Sequence, residues 1–251
     1  MKKEQTHFGY KTVDAGKKTA MVGNVFTSVA QKYDLMNDLM SFGLHRLWKD
    51  KMVEMIPIKS GMKILDMAGG TGDISFRILK KAKVVNRKID ITVCDINAEM
   101  LEQGRARAIN KGIISGISWK QGDAEKLPFR NAQFDFYAIA FGIRNVTNIN
   151  NAIKEAYRVL KPGGQFICLE FSNVNNPIFK KVYDAYSFKA IPRIGHAITG
   201  DRAAYQYLVE SIRKFPRKDL FSKMIERSGF EEVTVKTFNQ GIVAIHRGIK
   251  E

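Results

Sequence analysis

The sequence predicts an α/β fold, a parallel sheet with helices on both faces that is closed by an antiparallel pair. Three observations carry this reading. The stretch MKILDMAGGTGD, residues 62–73, sets a short apolar run against an acid and follows it with three glycines and a second acid. Gly69, Gly70 and Gly72 permit a tight turn and the close approach of a ligand to backbone, and the sequence beyond has helical spacing. Strand-like and helix-like segments then alternate as far as residue 169, the pattern of a parallel sheet. Finally, two strand-like runs at 233–238 and 242–246 are separated by only Asn239, Gln240 and Gly241. A parallel crossover needs about a dozen residues, so this pair is antiparallel.

Taken in order, residues 1–18 are polar and read as loosely held. Residues 22–56 carry Met, Phe, Leu and Val at mostly helical spacing and contain YDLMNDLMSFGLHRLWKD; Pro57 and Gly61 end the segment. The run 63–67 is the first sheet strand and 73–80 its helix. Residues 91–95 form a second strand ending at Asp95. Asn97 can cap a helix over 98–111, which Gly112 stops. Short strands follow at 117–120 and 134–141. A helix over 150–160 is stopped by Pro162, Gly163 and Gly164, and 166–169 is a fifth strand. Residues 173–200 break the rhythm with Pro177, Pro192 and several aromatics, and read as an insertion or lid. Helices near 201–214 and 217–228 precede the closing pair. No linker or repeat interrupts the chain, so 1–251 reads as one domain, with an N-terminal helical segment at about 19–56 and a lid region at about 173–214.

Composition narrows the class. No apolar run approaches the ~20 residues that span a bilayer, and the first residues, MKKEQTHFGY, lack an apolar signal core. The expected location is the cytoplasm. Cys94 and Cys168 sit in apolar strand-like runs and read as buried, reduced thiols. No metal site is expected. The 41 basic and 25 acidic residues give a net charge of +16, an excess that favours a polyanion such as nucleic acid or an anionic membrane surface.

The glycine turn raises the question of which cofactor it serves. A dinucleotide site wants G-x-G-x-x-G, but Gly70-Thr71-Gly72-Asp73-Ile74-Ser75 ends in serine. Acids instead end successive strands. Asp95 can accept from ribose hydroxyls, Asp123 of GDAEKLPF from an adenine amino group, and Asp66 can face a positively charged methionine moiety. Open α/β sheets bind ligands at these strand ends. A sulfonium cofactor, S-adenosylmethionine, suits such a set better than a pyrophosphate, with its methionine end at the Asp66–Gly72 turn.

Two longer segments, YDLMNDLMSFGLHRLW at 33–48 and RVLKPGGQFICLEFS at 158–172, resemble the paired signatures of the ubiquinone/menaquinone biosynthesis C-methyltransferases. LDMAGGTGD, FGIRNVT at 141–147 and PRIG at 192–195 resemble further landmarks, and the likeness runs from THFGY at 6–10 to HRG at 246–248. The resemblance implies a class I S-adenosylmethionine-dependent methyltransferase fold, Rossmann-like, with a seven-stranded sheet whose last strand is antiparallel. It implies cofactor contacts at Thr71, Asp95, Asp123 and Ala124. A further contact falls at Ala140, where relatives resemble SFG; alanine offers no hydroxyl, which leaves packing or backbone contact. Relatives often have Asn where this chain has Asp123.

The implied reaction methylates a ring carbon of a polyprenylated quinol. Candidates to assist proton loss are His45 and Asp34 in the first signature, and Arg144 is a candidate to stabilise an oxyanion or hold a water. His196 has a weaker claim. Tyr33, Met36, Met40, Phe42 and Trp48 suit core or a substrate wall, and the aromatic stretch 183–194 suits an isoprenoid tail. The expected partners are the quinol and, transiently, an anionic membrane surface, with the protein peripheral on the inner face of the cell membrane; a homodimer or a quinone-synthesis complex is compatible. Nucleic acid is not expected. An RNA methyltransferase is the rival the charge supports, but the sequence has no Asn/Asp-Pro-Pro-aromatic segment, no Pro-Cys pair and no recognisable RNA module. A non-enzymatic scaffold would leave the acids and glycines unexplained.

Overall fold

The computed structural model describes residues 5–29, 37, 38, 41–174, 186, 192, 193 and 202–251. Its centre is a seven-stranded sheet in the order β5-β4-β3-β6-β7-β9-β8. The strands are β3 (Lys63–Met67), β4 (Asp90–Asp95), β5 (Ile117–Gln121), β6 (Phe134–Ala140), β7 (Leu160–Phe171), β8 (Glu231–Phe238) and β9 (Val243–Ile249). β3 to β7 are mutually parallel. β9 runs antiparallel to both β7 and β8, so the last strand in chain order lies inside the sheet, between the two.

Alternation along the strands divides the core. Ile64, Phe136, Ala138, Ile167 and Leu169 face one apolar cluster; Leu65, Met67, Tyr137, Ile139, Phe166 and Cys168 face the other. The first cluster is covered by α2 (His45–Glu54), α3 (Asp73–Val84) and α6 (Arg202–Lys214), the second by α5 (Ile149–Val159) and α7 (Lys218–Arg227). Trp48, Met52 and Tyr205 are among the largest side chains sealed in the core. Trp48 is therefore core rather than substrate wall. Both cysteines are buried free thiols.

α4 (Ala98–Asn110) starts as expected, with the Asn97 side chain accepting from the backbone N–H groups of Glu99 and Met100. β7 is longer than expected. Lys161-Pro162-Gly163-Gly164 reads as a stop, but Leu160 pairs with Phe134, and Gly163 and Gly164 exchange backbone hydrogen bonds with Lys250, so the ladder resumes across a register shift.

Residues 5–18 are not loosely held. Residues 5–14 form an antiparallel hairpin, β1 (Gln5–Phe8) with β2 (Lys11–Asp14), leading into α1 (Ala15–Val29). Phe8 stacks on Tyr207 with ring centroids 4.1 Å apart, and the Tyr10 N–H donates to Glu210. Polar composition hid this, because the anchoring partners lie about 200 positions away. Of the expected lid, residues 202–214 form a helix with a buried face of Tyr205, Tyr207, Leu208 and Ile212, hence part of the core. Most of 175–201 lies outside the described residues, as do Asp34, Tyr33, Met36, Met40 and His196.

Candidate active site

A cavity opens at the C-terminal ends of β3, β4, β5 and β6, beneath α1. Gly70, Asp95, Asp123 and Ala124 line it together. Two residues make room for it. Ala68 and Phe141, each the first residue past a strand, have φ of 53° and 56°. Left-handed backbone at a non-glycine residue is uncommon and strained, and such positions cluster at functional sites. Both turn the chain sharply away and both line the cavity. The two turns are pressed together at Gly142, where an added Cβ would meet that of Ala68 at 2.4 Å.

The glycine turn is fixed from below. Asp95 is held by two backbone donors, Gly70 N–H on Oδ2 and Asn97 N–H on Oδ1, each at 2.9 Å. Burial raises its pKa against these bonds. Gly70 has φ of 51° and passes close to Met100. Asp66 does not line the cavity. It lies buried under the turn, where Oδ2 accepts from the Ser75 hydroxyl at 2.6 Å and the Ser75 N–H at 3.1 Å. Its Oδ1 finds no partner among the described residues, and burial pushes its pKa up to about 7. Thr71 and Gly72 belong to the turn but are not on the lining. The Thr71 hydroxyl accepts from Arg107 at 2.6 Å. Ala140, the last residue of β6, packs against the core instead of facing the cavity.

The chain is strongly basic, yet the cavity is acidic. Asp95, Asp123 and Glu125 line it and, among the described residues, no Lys, Arg or His does. A cationic ligand gains from this lining and a pyrophosphate is repelled by it. The residues therefore fit S-adenosylmethionine: a sulfonium beside carboxylates, and acceptors for a ribose.

Residues 13–250 match the model of the ubiE/COQ5 methyltransferase family. The chain belongs to that family. It is 56% identical to the ubiquinone/menaquinone biosynthesis C-methyltransferase UbiE of Brucella canis, over 97% of this chain and 90% of that one. It is 52% identical to the mitochondrial 2-methoxy-6-polyprenyl-1,4-benzoquinol methylase of Oryza sativa subsp. japonica, over 98% and 88%. Among solved structures, an S-adenosylmethionine-dependent methyltransferase of Thermotoga maritima, a possible histamine N-methyltransferase, superposes with a TM-score of 0.61 at 21% identity, covering 92% of this chain and 100% of that one. This last likeness concerns the fold. The protein is an S-adenosylmethionine-dependent methyltransferase of the class I type expected.

Within this methyltransferase the catalytic candidates are dispersed. Arg144 is buried. It donates to Glu170 at 2.7 Å and to the Phe141 carbonyl at 2.6 Å, and lies over the Phe171 ring. It faces away from the cofactor cavity and lines a second cleft, so its immediate surroundings are those of an internal ion pair that braces the Phe141 turn. His45 opens α2, buried, with Nε2 2.8 Å from Asp38 Oδ1 and Nδ1 without a partner among the described residues. Burial lowers its pKa, which favours neutral imidazole. The carboxylate beside it is Asp38; Asp34, the candidate singled out from sequence, lies outside the described residues.

Sequence reasoning missed the roof. Thr19, Val22, Gly23 and Phe26 of α1 line the cavity; their apolar spacing was visible, but nothing local says which site a helix covers. It also missed Glu125, whose Oε1 accepts from the Thr147 N–H at 2.6 Å, and Asn145, although FGIRNVT had been marked as a landmark.

Proposed function

We propose that this methyltransferase transfers a methyl group to a ring carbon of a polyprenylated quinol, in the synthesis of ubiquinone, menaquinone or both. The observation that carries the reading is the identity, over nearly the whole chain, of 56% to an enzyme named for ubiquinone/menaquinone biosynthesis and of 52% to one named as a polyprenyl-benzoquinol methylase. S-Adenosylmethionine supplies an electrophilic methyl group on a cationic sulfur. The chain's share is to bind, orient and exclude water. Asp95 accepts from the ribose hydroxyls, Asp123 and Ala124 border the adenine, and the Gly70–Gly72 turn gives backbone room for the methionine portion. Asp66 supports that turn from beneath through its bonds to Ser75. Val22 and Phe26 of α1 cover the cavity.

On the acceptor, loss of a ring hydroxyl proton drives electron density to the ortho carbon, which attacks the methyl carbon in line; the bond from that methyl to sulfur breaks, leaving a neutral thioether, and the ring carbon then gives up its hydrogen as a proton to restore aromaticity. Orienting the two reactants can supply about 7–11 kcal/mol in favourable systems. His45, oriented by Asp38, is our candidate to take the proton; its lowered pKa leaves the ring neutral and Nδ1 able to accept. Arg144 contributes by bracing the Phe141–Asn145 turn. The quinol tail is bilayer material and, among the described residues, no helix is long and apolar enough to cross a membrane. In this reading the enzyme meets its substrate as a peripheral protein at an anionic cytoplasmic surface, which the net charge of +16 supports; it does so alone, as a homodimer or in a quinone-synthesis complex.

The test is transfer of labelled methyl from S-adenosylmethionine to demethylated benzoquinol and naphthoquinol, beside RNA. Label in either quinol and none in RNA is expected. Label in RNA alone would overturn the reading.

A further inference from the structure

The cavity wall between Phe141 and Thr147 is gripped on its outer side by parts of the chain remote in sequence. Lys18 donates to the Val146 carbonyl at 2.7 Å, and the Thr6 hydroxyl to the Thr147 carbonyl at 3.4 Å. Tyr207 of α6 donates its phenolic hydrogen to Asn145 Oδ1 at 3.0 Å. The first two bonds hold backbone. The third holds a side chain that lines the cofactor cavity. Tyr207 is buried, and burial raises its pKa, so the phenol remains a protonated donor.

This bond and the neighbouring Phe141 carbonyl together set which way the carboxamide points, because a phenol alone could donate or accept. Asparagine carries one acceptor and one double donor. The Phe141 carbonyl can only accept, and it lies 3.5 Å from Asn145 Nδ2. Reversing the amide would set two acceptors against each other there. One Nδ2 hydrogen faces Phe141; the second is left for a ligand. Its location is informative. Asp95 and Asp123, the positions for ribose and adenine, follow β4 and β5, on one side of β3. Asn145 follows β6, on the other side. The remaining N–H therefore stands on the side away from the adenosine positions, where an acceptor ring has access to the methyl group.

Resting on the quinol reading above, we propose that Tyr207 is a positioning residue, which fixes the Asn145 carboxamide so that its second N–H meets an oxygen of the acceptor ring. A preoriented donor at an oxygen that gains negative charge favours the deprotonated ring without reorganisation during the step. The stack of Phe8 on Tyr207 makes the N-terminal hairpin part of this support.

Tyr207→Phe tests it, because it keeps the ring and its stack and removes only the hydroxyl. The expected result is unchanged affinity for S-adenosylmethionine by calorimetry and a fall in kcat of at least about tenfold. Asn145→Ala should lose as much or more, and the double variant should be no slower than Asn145→Ala alone, since the two act as a unit. A kcat within about twofold of wild type, or losses that multiply in the double variant, would overturn the proposal. A readout independent of substrate is the side-chain amide resonance pair of Asn145, assigned with Asn145→Asp. That pair should shift and broaden in Tyr207→Phe. An unmoved pair sinks the positioning role even if no quinol proves to be a substrate, whereas a moved pair with no transfer to any quinol faults the quinol reading alone. Should Tyr207→Phe fail to fold, Asn145→Asp decides: it keeps the Tyr207 bond but has no N–H, so it must lose turnover.

Discussion

Asp66 shows how one residue ties the turn to pH. Burial raises its carboxyl from 3.8 to about 7. The folded protein therefore holds this proton more tightly than the unfolded chain. The stabilisation is fully present below pH 3.8 and is lost as pH rises through about 7. Asp66→Asn cannot ionise, so urea unfolding across that window should show a shallower fall in stability than wild type. If the two profiles ran parallel, Asp66 would not be the titrating group. Arg144 needs a different approach, since its pair with Glu170 is almost sealed from solvent. Removing one partner of a buried pair leaves the other charge uncompensated, at about 3–5 kcal/mol. Arg144→Ala should melt roughly 6–20 °C lower at this chain length, so a loss of kcat in that variant does not by itself reveal chemistry. Arg144→Met combined with Glu170→Leu removes both charges and should recover most of the melting temperature. Recovery of kcat along with the melting temperature would confine the pair to stability, whereas a kcat still depressed would show that turnover needs the guanidinium or its bond to the Phe141 carbonyl.

At the scale of elements, strand ends and the glycine turn were readable because each depends on neighbours within a few residues. Asp95 closes an apolar run, and Asn97 caps a helix with its own side chain. Thr71 and Ala140 belong to the right segments, but which way a side chain turns depends on remote partners, here Arg107 and the core. The hairpin at 5–14 and the placing of helical segment α1 over the cavity were illegible for the same reason. Packing of α4 is equally non-local. A Cβ on Gly104 would meet the Trp119 ring at 2.3 Å and the Gly70 carbonyl at 3.2 Å, so this glycine lets the helix press against both β5 and the cofactor turn. Overpacking a well-filled contact typically costs about 1–3 kcal/mol. Gly104→Ala should lose stability of that order in denaturant and also bind S-adenosylmethionine more weakly, because the displaced atoms include the turn itself. Full stability with unchanged affinity would contradict this packing.

The whole molecule separates its charges. A net +16 surrounds an acidic cavity, so the cationic cofactor finds its attraction locally while the exterior attracts anions. Each Lys or Arg near an anionic leaflet contributes about 1 kcal/mol, within a Debye length of roughly 8–10 Å. Co-sedimentation should show reversible binding to anionic vesicles that salt weakens, and less to neutral ones. Equal binding to both at low salt would remove the electrostatic part. Phe42 is 69% exposed and stacks on Tyr186, which suits contact with a tail; the other aromatics of the expected stretch 183–194, Tyr183 and Phe188, lie outside the described residues with Ile191. The sheet's strand order also bears on how the protein is made. β9 is translated after every other strand, yet it occupies an interior slot and is the sole neighbour of β8. A nascent chain that has reached Gly241 thus carries an open apolar edge along β7 and a stranded β8, each a template for wrong pairing. The cofactor end can form while synthesis continues, but the sheet closes only after residues 243–249 have left the ribosomal tunnel. A stalled or truncated product is therefore a client for chaperones rather than a smaller enzyme.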